Sequence, residues 1–572
     1  MYDPNYKVKD LYSYLERAKD LYGEKTLFRF NKKEEVVDVS YENFFKLVCN
    51  MAHAFKEIGI EGQKVILIGE TSVQWIASYL ATVIADGVIV PLDPNLLEDE
   101  IIKFTNKTKA AAIIYSKTFE KLFTERKDEL ETVKKFIMTD RQSFTLAPEE
   151  GYVEAEYNTF NNILALGNYM AENTDSVLNT ENRDTDKLSI LLFTSGTTGS
   201  SKGVMLCERN IAAVLTGINP LLSVICEDDV LLSVLPVYHT YEMSAGILAP
   251  MLYGCTICIS DGIKYVGKNI KQFCPTVMTL VPLFANQLYK TIMRTVQKEG
   301  KEKTLNFGIK LSHILDKLHI DIRRKLFAQI LKGLGGRIKY FVVGGAALNP
   351  EVANAFADLG IKISQGYGIT ECAPLISVVP LTESNPASCG KLMPGMQIFI
   401  DKAKADDTFG EIVVKGDNVM LGYYENEEET AAVLNNGWFR TGDYGYIDDK
   451  GYIYITGRKK NVIVLQGGKN VFPEELEEYL SNVKLVEEAV VVGKEDKETG
   501  VVTVIALVYP NAEECEKQGL TDKEAIEKAI NDEVVAINKK LASYKHINLV
   551  EIRDEPFEKT TSRKIKRHVI QY

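Results

Sequence analysis

Strand-like and helix-like segments alternate along most of this chain, and that alternation narrows the fold more than any single motif does. Residues 64–69 form an apolar, β-branched run that reads as a buried strand. Residues 73–85 carry apolar side chains at helical spacing, and residues 88–91 return to a strand. A helix between two apolar strands is what a parallel βαβ unit needs, because parallel strands require a crossover and the crossover helix covers the sheet. The chain is therefore expected to be α/β, with mostly parallel sheets flanked by helices. At 572 residues it exceeds one usual core, so at least two domains are expected.

Composition removes several classes of function. Charged residues make up 26% and hydrophobic residues 45%, the balance of a soluble globular protein. A net charge of −12 disfavours bulk nucleic-acid binding and leaves room only for a local basic patch. The most apolar long window, residues 75–92, contains Asp86 and Gly87 and reaches Pro91 near its end, so it reads as a buried helix and a strand rather than a membrane span. Met1, Tyr2, Asp3 and Pro4 offer no charged head followed by an apolar core, so no leader is expected and the cytoplasm is the expected compartment. Nine cysteines, an odd and scattered set, argue against a disulfide framework. Cys255 and Cys258 have C-x-x-C spacing, but they lie at an apolar run without a second pair, as in a buried strand rather than a zinc or redox site.

Residues 193–203 carry the most chemistry. After an apolar run at 188–193 come six hydroxyl residues, three glycines and Lys202. Such a loop can offer backbone N–H groups, hydroxyls and an ammonium to a polyphosphate, and glycines allow close backbone approach. It is not the loop of P-loop kinases and ATPases. Counted from Gly196, Ser201 stands where that motif has glycine, and Gly203 follows the lysine where it has Ser or Thr.

The loop resembles the phosphate-binding signature of the adenylate-forming enzymes, which include acyl-CoA synthetases, adenylation domains and luciferases. Further motifs follow in that family's order: Gly344-Gly345-Ala346 after a strand read at 338–343, then Gln365-Gly366-Tyr367-Gly368 with Thr370 and Glu371, then Asp443, then Arg458 with Lys460, then Gly467-Gly468-Lys469, and finally Lys564. The resemblance covers about residues 27–567. It implies a large N-terminal domain of parallel and mixed sheets flanked by helices, and a small mobile α+β C-terminal domain. The implied boundaries are 1–457, a hinge at 458–461, and 462–572. A turn-rich segment with Gly442, Gly445 and Gly451 precedes that hinge, and the acidic stretch at 511–532 beyond it reads as a surface helix with its preceding loop.

The resemblance also implies roles. Thr194, Ser195, Gly196, Thr197, Thr198, Gly199 and Lys202 would hold the β- and γ-phosphates of ATP. Gly344, Gly345, Ala346, Gln365, Gly366, Tyr367 and Gly368 would hold adenine, with the Tyr367 ring able to face it. Thr370 offers a hydroxyl to the α-phosphate, and Glu371 is a hard oxygen ligand for Mg²⁺. Asp443 would accept from the ribose hydroxyls, with Arg458 beside them. Lys460 would be the hinge, and Gly467, Gly468 and Lys469 would line the path of the coenzyme A thiol. Lys564 would stabilise charge in the adenylation transition state. Arg563 precedes it where many members have glycine, which keeps Lys559 and Lys566 as alternatives. His239, in Leu235-Pro236-Val237-Tyr238-His239, would sit beside the carboxylate; Val281, Pro282, Leu283 and Phe284 would shape the acyl pocket.

The expected function is that of an AMP-forming acid–thiol ligase of the long-chain fatty acyl-CoA synthetase branch, using ATP, Mg²⁺ and coenzyme A. Loading an acyl carrier protein instead is one alternative, and a non-catalytic member of the fold is another. Residues 290–339 depart in charge: thirteen Lys/Arg stand against four Asp/Glu, with helical apolar spacing. The favoured reading is a solvated helical face. Docking on an anionic membrane, which would make the protein peripheral there, or on an acidic carrier protein is the sharper one.

Overall fold

The computed structural model describes residues 3–148, 155, 157–173, 178, 180–194, 201–466, 469–496, 501–559 and 565–570. The chain forms two compact units. Of the described residues, the first comprises those up to Thr194, Ser201–Gln397 and Lys415–Gly437; the second comprises Ile398–Val414 and those from Trp438 onward.

Two large sheets build the first unit. In one, of eight strands, Lys64–Ile68 lies between Val88–Leu92 and Ala112–Ser116, all parallel. The helix Val73–Ile84 links the first two strands. Ser72 caps it by accepting from Trp75 N at 3.1 Å, and every residue of the helix is buried. Helix and strand together thus account for the apolar window at 75–92. Burying side chains such as Ile76 and Leu80 contributes about 1.5–3 kcal/mol each. No helix among the described residues is long and apolar enough to cross a membrane.

The other sheet has nine strands. Val230–Ser233, Val277–Leu280, Tyr340–Val343 and Lys362–Gly368 run parallel, with Leu280 beside Val343 and Val343 beside Gln365. The ends of these strands share one edge, the place where open α/β sheets bind ligands. The strand expected at 338–343 begins at Tyr340, because Lys339 N and Tyr340 N both donate to Thr276 O and the ladder starts there. Cys258 is buried in the strand Thr256–Ile259, and Cys255 is buried just before it.

In the second unit, Val486–Glu495, Val502–Pro510 and Leu549–Ile552 form a three-stranded sheet. The helices Pro473–Ser481 and Lys523–Asn538 share its core through Leu476, Leu480, Ile530 and Val534. Pro473 occupies the first helical turn, as its fixed φ allows. Two readings need correction here. Gly442 and Gly445 lie within a long strand, Trp438–Ile447, and only Gly451 lies at the turn to Ile453–Arg458. The ladder irregularity at Tyr444/Gly445 absorbs what the glycines suggested was a loop. The acidic stretch at 511–532 is two helices rather than one, Ala512–Lys517 capped by Asn511 and Lys523–Asn538 capped by Asp522.

Candidate active site

The phosphate-loop stem is a hairpin. Leu188–Thr194 and Lys202–Cys207 pair antiparallel with Thr194 opposite Lys202, and Thr194 Oγ1 donates to Lys202 O at 3.4 Å. Ser195, Gly196, Thr197, Thr198 and Gly199 lie outside the described residues. A short strand, Gly422–Tyr423, adds to the same hairpin, with Tyr423 opposite Val204. This register sets up a chain of side-chain contacts. Lys202 Nζ lies 2.6 Å from Glu429 Oε2 and 5.0 Å from the centre of the Tyr423 ring. Tyr423 Oη donates to Glu371 Oε1 at 2.9 Å. Burial, and after it the Glu371 carboxylate, hold the Tyr423 phenol well above its usual range, so it remains a donor.

Thr370 and Glu371 stand in a single turn, Thr370–Cys372, directly after the strand Lys362–Gly368. The turn is clamped by its neighbours: Met420 N donates to Glu371 O at 2.8 Å, and Asn418 Nδ2 donates to Cys372 O at 2.9 Å. Gly368 is required here, since a Cβ would come within 2.2 Å of Pro374 O. Tyr367, between the two glycines, is buried. Both polar ends of Gln365 are engaged by protein: its Oε1 accepts from Leu348 N at 3.1 Å and its Nε2 donates to Ser388 O at 3.0 Å. It thereby ties the turn after Gly344, Gly345 and Ala346 to the neighbouring segment. A Cβ on Gly344 would lie 3.1 Å from the Tyr241 ring, whose hydroxyl donates to Val342 O at 2.8 Å. Tyr241 thus fills one side of the strand end on which a flat ring could lie.

His239 is half-buried, its ring centre 4.4 Å from that of Tyr238. Three residues on, Glu242 is fully buried at the start of a π-helical segment, Glu242–Leu248. Its carboxylate accepts from Ser233 Oγ at 2.5 Å and from Thr279 Oγ1 at 2.7 Å, fastening the segment to two strand ends. Gly246 is held to a hydrogen side chain by the same contact, since a Cβ there would meet Glu242 Cδ at 2.5 Å. Burial pushes the Glu242 carboxyl from 4.5 up to about 7, against the lowering effect of the two hydroxyls. A carboxyl raised on folding contributes stability that is present in full below its unfolded value and is lost as pH rises through the folded one. Glu242→Gln removes that titration. Its advantage over the parent in denaturant unfolding is expected to grow from about pH 5 to about pH 8, by up to ~3 kcal/mol. A gap independent of pH would contradict this.

In the second unit, Asp443 faces Arg458 across the hairpin, with Arg458 Nε 2.7 Å from Asp443 Oδ1. Asp443 is 3% exposed and its N–H donates to Thr441 Oγ1 at 3.1 Å, which fixes the side chain's root. Lys460 is exposed in the turn Lys459–Asn461, and both its neighbours are tethered: Lys459 to Glu411 at 2.9 Å and Asn461 to Glu474 at 2.6 Å. Lys469 Nζ lies 4.6 Å from the centre of the Tyr544 ring. Gly467, Gly468 and Lys564 lie outside the described residues. Phe557 is buried with Val490, Val492, Ile505 and Leu507, and Ile565 packs on the same cluster. Of the neighbouring cations, Lys559 is paired with Glu488 and Arg567 with Glu477, while Lys566 lies 3.9 Å from Glu558.

The model of AMP-binding enzymes matches residues 15–424. The chain belongs to the AMP-binding enzyme family. That family's C-terminal domain matches residues 460–571. Among curated relatives, a protein named long-chain-fatty-acid–CoA ligase FadD15 from Mycobacterium bovis is 32% identical over 54% of this chain and 53% of its own length. The chain spans about half the length of the two mycobacterial relatives it matches. A chloroplastic protein of Arabidopsis thaliana, named long-chain-fatty-acid–[acyl-carrier-protein] ligase AEE15, is 23% identical over 96% of this chain and 83% of its own. The ATP-bound structure of MatB from Rhodopseudomonas palustris superposes with a TM-score of 0.75 at 22% identity, covering 98% of each chain, which shows the shared adenylate-forming fold.

Within this AMP-binding protein, Tyr423, Glu429 and Glu242 join the candidate site without having been assigned from sequence. Glu242 stands three residues after His239, but a glutamate beside apolar residues carries no local sign of its hydroxyl partners. Tyr423 reaches Lys202 through sheet register and Glu429 from the helix Glu427–Val433 that follows, placements that no short window contains.

Proposed function

We propose that the protein is an AMP-forming acyl-CoA synthetase acting on a medium- or long-chain fatty acid. The observation that carries this is the Lys202–Tyr423–Glu371 chain of contacts at the sheet edge, next to Thr370. It draws a phosphate-loop lysine and a hard carboxylate to one place, as a polyphosphate substrate needs. The names of the fatty-acid ligase relatives support the choice of acid.

In this reading the acid's carboxylate attacks the α-phosphorus of ATP. A P–O bond to the acyl group forms, the α–β anhydride breaks, and pyrophosphate leaves. Residues 194–202 hold the departing phosphates, Thr370 holds the α-phosphate, and Gly344 to Ala346 with Gln365 to Gly368 frame adenine. Asp443 accepts from the ribose hydroxyls and Arg458 orients it; His239 borders the carboxylate. Glu371 would hold magnesium, which supplies charge neutralisation when bound. One half-buried carboxylate fits that ion, because Mg²⁺ takes one or two carboxylates and completes its shell with substrate phosphates and water. Lys564 compensates charge at the α-phosphate. Lys559 pairs with Glu488 and Lys566 lies near Glu558. In this reading 462–572, a part of the second compact unit, is the moving domain set against 1–457, and rotation about Lys460 brings Gly467, Gly468 and Lys469 to the thiol path. The thiolate of coenzyme A then attacks the acyl carbon, and AMP leaves.

Pyrophosphate release over carboxylates of graded length, with coenzyme A or a holo acyl carrier protein, tests the reading. Release should require a medium- or long-chain acid, and thioester should form on coenzyme A. Thioester on the carrier alone would select the carrier-loading alternative, which the Arabidopsis thaliana relative keeps in view. No acid-dependent release across the panel would leave a non-catalytic member of the fold.

A further inference from the structure

The helix Glu302–Asp316 has an inner and an outer face. Leu305, Gly308 and Ser312 are buried, and Gly308 packs so closely that a Cβ would lie 3.1 Å from the Phe327 ring. This fixes the helix's orientation on the first unit. The opposite face carries Lys303, Phe307, Lys310 and Ile314 at intervals of three or four residues, and Lys317 and Leu318 continue it past the helix end. Phe307 is 68% exposed, Ile314 60% and Leu318 63%; Ile320 and Leu326 are exposed nearby. Large apolar side chains therefore stand outward at the centre of a face edged by exposed lysines. The solvated-face reading of this segment explains the lysines but not the apolar residues between them.

We propose that this face is a docking surface for an anionic lipid bilayer. The helix, about 22 Å long, would lie flat in the headgroup region. Phe307, Ile314 and Leu318 would enter the acyl boundary, and Lys303, Lys310 and Lys317 would extend their stems to the headgroup phosphates. Two other occupants account for less. A second copy meeting this face about a twofold axis would set its lysines against each other. An acidic carrier protein would match the charge but would not need the outward apolar row. The proposal does not rest on the proposed reaction, and its test uses neither ATP nor acid.

The full chain is sedimented with vesicles of phosphatidylcholine alone and of phosphatidylcholine with phosphatidylserine, at rising salt. Binding is expected only to the anionic vesicles, falling as salt rises. The triple variant Phe307→Ser, Ile314→Ser, Leu318→Ser should lower partitioning about tenfold or more. Lys310→Gln and Lys317→Gln should each lower it about fivefold. These positions are exposed, so thermal unfolding should be unchanged. In a Phe307→Trp variant, brominated lipid should quench the new fluorescence. Equal binding to neutral vesicles, no binding to either, or variants that bind like the parent would overturn the proposal. So would self-association, or capture by an acidic carrier, that the triple serine variant abolishes while vesicle binding stays absent.

Discussion

Lys564→Ala is expected to lower acid-dependent pyrophosphate release by about 10²–10³-fold, while thioester formation from supplied acyl-adenylate and coenzyme A stays within a few-fold of the parent. The size follows from position in the reaction. In adenylation, negative charge gathers between the entering carboxylate and the α-phosphate, and a fixed ammonium there acts most strongly in the transition state. In the second half-reaction the adenylate is already made and the entering group is a thiolate, so the same ammonium has no developing phosphate charge to meet. Single-turnover measurements of each half-reaction separate the two. Equal loss in both would mean that Lys564 holds the nucleotide throughout or supports the fold. Lys566→Ala serves as the control, because Lys566 is the nearest alternative cation and already lies near Glu558; a loss as large as that of Lys564→Ala would move the role to it.

Much of the fold was legible because its signals are local. The helix Val73–Ile84 follows from apolar spacing and a serine cap, and the parallel strands beside it follow from short β-branched runs. Gly442 and Gly445 misled because glycine marks strand irregularities as well as turns. The single helix expected in 511–532 became two because Asn511 and Asp522 each cap a new start. At the candidate site, motif residues such as Glu371 and Asp443 could be named from order along the chain. Their partners could not. Tyr423 meets Glu371 because one short strand joins the phosphate-loop hairpin, and Arg458 meets Asp443 because a hairpin sets them opposite. Register of this kind depends on the whole sheet and leaves no short sequence trace.

Glu371→Gln should be the second large effect. The substitution keeps the side chain's size and its ability to accept from Tyr423, but removes the charge. Adenylation is expected to fall by roughly 10²-fold or more, since both metal affinity and charge neutralisation depend on the carboxylate. The decisive readout is nucleotide binding. Affinity for ATP with magnesium should drop, whereas affinity for ATP in chelator should not move. Tyr423→Phe tests the contact behind it. Losing a hydrogen bond to a charged group is worth about 1.5–3 kcal/mol, so the half-saturating magnesium concentration should rise about tenfold or more. In the double variant, Tyr423→Phe should add little to Glu371→Gln, because the hydroxyl acts through the carboxylate's charge. If Tyr423→Phe lowered the melting temperature and left the magnesium dependence alone, Tyr423 would be a packing residue. If Glu371→Gln kept the parent's magnesium dependence, the ion would have to be held elsewhere, and the Lys202–Tyr423–Glu371 chain would serve the phosphate loop only by shaping its stem.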